Sequence, residues 1–213
     1  MLKTLRDFSY SLLPVQYRFS RIYKKNRWGS DESKSGDGST LRNTKNLRDF
    51  LTMIILDQKI TSIVDIACGD FNWMKDIVQN NKIKYLGIDI VPNVIEENQR
   101  KYGSKRVEFK IANVIKEVPP EADLAIFRDC ILHLSFSDGL SALKNIRSSG
   151  SPFVLMSTWS GKSENLDIPS GRFRPVDLCS PPFSLPEPAQ IIKENEPGKY
   201  AGLWATSGWS KET

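Results

Sequence analysis

Five short apolar runs between residues 63 and 156 constrain this chain more than any other feature. They are Ile63-Val64-Asp65-Ile66, Tyr85-Leu86-Gly87-Ile88-Asp89, Val107-Glu108-Phe109-Lys110-Ile111, Asp123-Leu124-Ala125-Ile126-Phe127 and Phe153-Val154-Leu155-Met156. Helical spacing fills several of the gaps: Trp73 to Val78, the stretch through Val94, Ile95 and Asn98, and a Leu/Ile-rich segment from about Gly139 to Ile146. Strands that alternate with helices pair in parallel through right-handed crossovers. The pattern predicts an α/β fold, a Rossmann-like doubly wound sheet. Ahead of it, Leu47, Phe50, Leu51 and Ile54 recur at spacings of three and four, a helix that Thr40 or Asn43 is placed to cap. Behind it, Gln190-Ile191-Ile192-Lys193 and Tyr200 to Trp204 flank the turn Glu196-Pro197-Gly198-Lys199. That pattern predicts a C-terminal hairpin, with an antiparallel strand at the sheet edge.

At 213 residues the chain suits one such domain, assigned to 41–213. Residues 1–40 form a basic arm followed by a Gly/Ser loop, a candidate lid. The net charge of +5 is concentrated there. Lys3, Arg6, Arg18, Arg21, Lys24, Lys25 and Arg27 face only Asp7 within the first 30 residues, and Leu5, Phe8, Leu12 and Val15 recur at helical spacing around Pro14. Such an arm suits docking on the domain, or weak contact with an anionic membrane or a partner. Cys68, Cys130 and Cys179 are odd in number and far apart, so a disulfide framework is not expected. No run of 18 apolar residues occurs and the first residues lack a secretory pattern, so a cytoplasmic location is expected.

Ligands of open parallel sheets bind beyond the carboxyl ends of the strands, where the winding reverses. The first strand ends in Asp65-Ile66-Ala67-Cys68-Gly69-Asp70, where Gly69 permits a tight turn and the next helix offers free N–H groups. Asp89 ends the following strand 20 residues after Gly69, where a carboxylate can accept hydrogen bonds from ribose hydroxyls. The turn has one glycine rather than G-x-G-x-x-G, and Asp65 and Asp70 would repel a pyrophosphate. The same carboxylates suit a cofactor bearing a sulfonium and an ammonium group. S-adenosyl-L-methionine is therefore expected in preference to a dinucleotide, and the absence of G-x-x-x-x-G-K-S/T removes a phosphate loop.

VDIACGD at 64–70 followed by GID at 87–89 resembles the first two motifs of class I S-adenosylmethionine-dependent methyltransferases, over roughly residues 60–160. The resemblance implies a seven-strand sheet, Asp65, Ala67 and Gly69 near the methionine part of the cofactor, Asp89 on the ribose, and Asn113 at the adenine with Ile90 and Val114 flanking it. Arg128, beyond the fourth strand, joins these cofactor contacts. Phe71 stands where the family usually has glycine, and a bulky ring there would narrow the turn. Over nearly the whole chain, NRWGSDESKSGDGST at 26–40, CGDFNWM at 68–74, FRDCILHLSF at 127–136 and PPFSLPEP at 181–188 resemble a small methyltransferase group. That group is associated with polysaccharide-modifying gene sets in bacteria and large DNA viruses, which implies a glycan acceptor.

Methyl transfer to an alcohol is helped by a base that takes the hydroxyl proton. Asp129 and His133, the only histidine, follow the fourth strand and are the catalytic candidates. Packing and helix capping are their alternative roles. A divalent cation at Asp129 is possible but not predicted, since no second carboxylate lies nearby in sequence. Trp28, Trp159 and Phe183 offer flat faces, and Arg172, Arg174 and Glu187 offer polar contacts, a mixture that suits a sugar acceptor. Pro169 to Pro188 holds six prolines and reads as an irregular loop that walls the acceptor pocket. Methylation of a nucleic acid is the competing enzyme reading, disfavoured because RDCI replaces the usual N/D-P-P-Y run. A non-catalytic cofactor-binding module is the third.

Overall fold

A computed structural model describes residues 12–161 and 164–209. The arm positions Leu5 and Phe8, and the basic residues before Leu12, lie outside the described residues. Seven strands make one sheet in the order β3-β2-β1-β4-β5-β7-β6. They are β1 (Ser62–Ile66), β2 (Lys84–Asp89), β3 (Val107–Ile111), β4 (Leu124–Phe127), β5 (Phe153–Trp159), β6 (Gln190–Lys193) and β7 (Lys199–Ala205). The first five pair in parallel, with Ile66 beside Ile88 and Val64 beside Ala125. This is the expected α/β sheet of class I methyltransferase type. The hairpin differs in one respect: β7 is the antiparallel strand and it lies inside β6, which forms the edge. Seven pairs between β5 and β7 explain the insertion, since Leu203 and Trp204 are buried there while Ile191 stays exposed.

Alternate strand residues feed two cores. Val64, Ile66, Ala125, Phe127, Val154 and Met156 enter one, while Ile63, Leu124, Ile126 and Leu155 enter the other, as the two-residue period requires. Helix α1 (Val15–Lys24) joins the first core through Phe19 and Ile22, and the Arg18 guanidinium donates to the Ser170 carbonyl at 2.6 Å. The arm is therefore built into the domain from Val15 onward. Helix α2 (Lys45–Asp57) covers the second core through Leu47, Leu51 and Ile54, each fully buried and each contributing roughly 1.5–3 kcal/mol. Neither Thr40 nor Asn43 caps it. The residue before α2 is Thr44, and Thr40 Oγ1 instead accepts the Asn43 N–H in the preceding turn.

Helices α3 (Met74–Asn81), α4 (Pro92–Tyr102) and α5 (Phe136–Ser148) complete the crossovers. Pro92 opens α4, where its missing N–H costs nothing. Ser135 caps α5 by accepting the Asp138 N–H at 3.2 Å, so Asp129 is not the cap. Pro169 to Pro188 contains neither helix nor strand. Among the described residues no helix is long and apolar enough to cross a membrane.

Candidate functional site

The winding reverses between β1 and β4, and the turn beyond β1 is held under strain. Ala67, Gly69 and Phe71 all have positive φ, at 62°, 57° and 60°. Two of these are not glycine, each costing on the order of 1–2 kcal/mol. The surroundings enforce the turn: Cys68 N–H donates to Ile88 O at 3.0 Å, Gly69 N–H to the Asp89 carboxylate at 3.2 Å, and Asn98 Nδ2 to Gly69 O at 2.7 Å. Phe71 does not narrow the site. Its left-handed backbone swings the ring into the second core, against Tyr85, Phe109 and Tyr102 at 4.8–5.3 Å.

A cavity of ≈ 230 Å³ opens at these strand tips. Asp65, Ala67, Gly69, Asp89, Ile90 and Arg128 line it, as do Asp129, His133, Trp28 and Trp159. A narrow apolar slot continues from it past Ala67, Asp89 and Ile90 to Ile88, Asn113 and Val114. The eight expected cofactor positions thus line two adjoining pockets that share Ala67, Asp89 and Ile90. Asn113 Oδ1 accepts the Ile115 N–H at 3.0 Å, which fixes the chain at the slot's end.

Two buried carboxylates face this space without making an ion pair among the described residues. Asp65 accepts the Tyr85 hydroxyl at 2.7 Å, and burial pushes its carboxyl up to about 7. Asp89 accepts N–H groups of Gly69 and Val91, yet burial still raises it to about 6. Burial penalises the charged form of each, so both favour a ligand that brings positive charge. Asp70 is used differently. Its carboxylate accepts the Ser33 and Ser35 hydroxyls and the Lys34 N–H at 2.8–3.1 Å, tying the Gly/Ser loop down beside the turn. Gly69 is needed for that closeness, since a Cβ there would lie 2.2 Å from Ser35 Oγ.

Beyond β4 the carboxylate is compensated. Asp129, at φ 53°, meets Lys199 Nζ at 2.7 Å, the Arg128 guanidinium at 2.9 Å and the Ser157 hydroxyl at 2.7 Å. Against the cost of burial, Arg128 and Lys199 hold it well below the usual carboxylate range. Arg128 also pairs with Glu194 and donates to Gly38 O at 2.9 Å, stacking 5.6 Å from Trp73. Asp129 is therefore a weak proton acceptor. His133 is better suited. Its Nδ1 lies 2.8 Å from Arg172 O, and a carbonyl can only accept, so Nδ1 carries the proton and Nε2 is left as the acceptor. Burial lowers its pKa, which keeps the ring neutral at pH 7. Trp28 and Phe173 flank the imidazole at 5.2 and 5.8 Å.

Several sequence candidates do not reach the cavity. Arg174 turns inward, donates to the Leu134 carbonyl and stacks 5.0 Å from Phe136. Arg172 contributes its carbonyl to His133, and its side chain is not part of the cavity wall. Phe183 is fully buried against Phe136, and Glu187 is not part of the wall. Conversely, Lys199 and Glu194 were hidden. They sit at the hairpin, 70 and 65 residues from Asp129, and a hairpin lysine gives no sign that it will be 2% exposed. Glu194 follows β6 and Lys199 opens β7, and no local pattern in the sequence marks either as buried.

Comparisons with known proteins agree with this fold. Residues 63–152 match the family model described as "Methyltransferase domain". No curated protein sequence matches. Among solved structures, the methyltransferase domain of bacterial CtHen1 superposes with a TM-score of 0.59 at 12% identity, covering 76% of this chain and 99% of that one. Human N-acetylserotonin methyltransferase, in complex with SAM, gives 0.59 at 14% identity, over 91% of this chain and 60% of that one. An O-methyltransferase family protein from Burkholderia thailandensis gives 0.55 at 11% identity, over 78% and 57%. The chain thus spans about three fifths of the length of the last two. At these identities the likeness is one of fold.

Proposed function

We propose that this chain transfers a methyl group from S-adenosylmethionine to a hydroxyl of a sugar on a glycan, with His133 as the general base. The observation that carries the reading is the pairing of functions in one cavity: two unpaired buried carboxylates at one end and a neutral, oriented imidazole at the other. The methyltransferase-domain match over residues 63–152 and a neighbour solved with SAM support the cofactor. The residues present fit it. Asp65 and Asp89 suit its ammonium, sulfonium and ribose, and Ile88, Ile90 and Val114 make an apolar slot for a base. Bound there, the cofactor supplies a methyl group on a positively charged sulfur.

His133 Nε2 accepts the hydroxyl proton as the acceptor oxygen takes the methyl group, leaving a neutral thioether and an imidazolium. A positioned base supplies about 10²–10⁴-fold, while orientation supplies roughly 7–11 kcal/mol, so Trp28, Trp159 and the loop that holds His133 matter as much as the base. Trp28 and the segment 33–40 act as a lid over the cofactor, held by Asp70 and by Arg128. The exposed Arg21, Lys24, Lys25 and Arg27 on and after α1 give a secondary, weak contact for an anionic surface. A nucleic-acid acceptor is disfavoured by the carboxylates of Asp37, Asp70 and Glu196 on the cavity wall, which would repel phosphodiesters. Radiolabelled S-adenosylmethionine with a panel of saccharides and nucleic acids is the test. Label in a saccharide supports the reading, and label only in RNA or DNA refutes it.

A further inference from the structure

Beside the cavity at His133 lies a second chamber of ≈ 310 Å³ that the transfer step does not use. Its two sides come from separate segments, Asp37, Gly38 and Asn43 ahead of α2 and Asn195 and Glu196 of the β6–β7 turn. These segments are fastened together, since Asn195 Nδ2 donates to Arg42 O at 2.8 Å. Its floor is the buried pair Arg128 and Glu194, with Lys199 beside them. Asp37, Gly38, Arg128, Glu196 and Lys199 border both spaces, so a single acceptor can extend from one into the other.

The chemistry of the chamber is one-sided. Apart from Gly38, every residue lining it is an aspartate, glutamate, asparagine, lysine or arginine, with no aromatic or aliphatic side chain. An aryl or acyl group would gain nothing there. An anionic group would meet Asp37 and Glu196, while Arg128 and Lys199 are already bound to Asp129 and Glu194. What such walls satisfy is a neutral unit carrying many hydroxyls, which donate to the Asp37 and Glu196 carboxylates and accept the second N–H of Asn43 and Asn195, whose first goes to Asp37 O and Arg42 O. Gly38 borders both spaces, and a Cβ there would stand 3.1 Å from Asp129 Oδ2 and 3.7 Å from Lys199 Nζ. Gly38 does not have a positive φ, so its backbone does not demand glycine.

The geometry points to a second sugar subsite: the acceptor is an oligosaccharide, with the methylated ring at His133 and a neutral neighbouring ring in the chamber bounded by Asp37, Asn43, Asn195 and Glu196. This rests on the reading of the chain as a sugar methyltransferase. The test compares kcat/KM for neutral monosaccharide glycosides, their disaccharides, and disaccharides whose second ring is a uronic acid. Two or three extra hydrogen bonds predict a gain of roughly tenfold or more for the neutral disaccharide. The uronic acid is expected to lose that gain. Gly38→Ala and Asn195→Ala should each bring the disaccharide-to-monosaccharide ratio toward one, a readout that a general loss of folding would not mimic. Equal kcat/KM for the two lengths, or a ratio untouched by both substitutions, overturns the subsite while leaving the sugar reading intact. Transfer to no saccharide at all overturns both.

Discussion

Asp89 and Asp129 stand at the tips of β2 and β4 on the wall of one cavity, the first buried and the second partly so, and the protein treats them in opposite ways. Asp89 receives only backbone N–H groups and is pushed up to about 6, and its neighbour Asp65 to about 7. Asp129 is flanked by Lys199 and Arg128 and driven down. Arg128 and Lys199 make their ion pairs with Asp129 and Glu194, and among the described residues neither pairs with Asp65 or Asp89. A buried carboxylate left without a cation costs stability, so its presence marks a place where positive charge is to arrive with a ligand. The compensated carboxylate is structural machinery that joins β4, the lid and the hairpin.

The largest effect that would sharpen this contrast comes from removing a cation on the compensated side. Arg128→Met is expected to lower unfolding free energy by about 3–5 kcal/mol, because Glu194 and Asp129 would be left buried with less charge around them. Chemical denaturation measures it, and a loss below about 1 kcal/mol would break the contrast. Next in size, His133→Gln should lower kcat by about 10²–10⁴. The wild-type rate should fall on acidification only below the ordinary histidine range, because burial lowers the His133 pKa. If Asp129 were the base, the acid limb would lie far lower and survive in His133→Gln.

On the uncompensated side, Asp89→Asn is expected to weaken S-adenosylmethionine binding by roughly 10–100-fold, as loss of a charged hydrogen-bond acceptor does. Calorimetry reads it directly. The same substitution should leave the ligand-free protein as stable as before, or more so. The smallest effect follows from linkage. The folded pKa values of Asp65 and Asp89 lie above their unfolded values near 4, so their contribution is fully present in acid. It is lost as pH rises through about 6 and 7, by up to about 1.4 kcal/mol per pH unit for each group. Thermal unfolding of wild type and Asp89→Asn should therefore diverge in favour of the variant between about pH 4 and 6 and keep a constant gap above that. Added cofactor should restore the wild type above pH 7.

The contrast also shows what could be read from the chain beforehand. Strand periodicity and the Asp65–Gly69–Asp89 spacing located the sheet and the cavity at its strand tips, because both are local patterns of a few residues. That the Ser/Gly segment is a loop was legible from its composition, but its hydrogen bonds to Asp70 were not. The compensated side was not legible. Lys199 and Glu194 come to Asp129 through the pairing of β5 with β7, and nothing local in the hairpin marks them as buried. The orientation of Phe71 depended on one left-handed φ, and Arg174 was diverted by a backbone carbonyl and the Phe136 ring, neither of which a side chain's type reveals.

Calorimetric titration of the purified protein with S-adenosylmethionine near pH 6.5, in two buffers of different ionisation enthalpy, tests the central claim most directly. Arrival of a cation beside Asp65 and Asp89 predicts binding accompanied by net proton release, diminished in Asp89→Asn. Absence of binding, or binding with no release in wild type, would contradict the account.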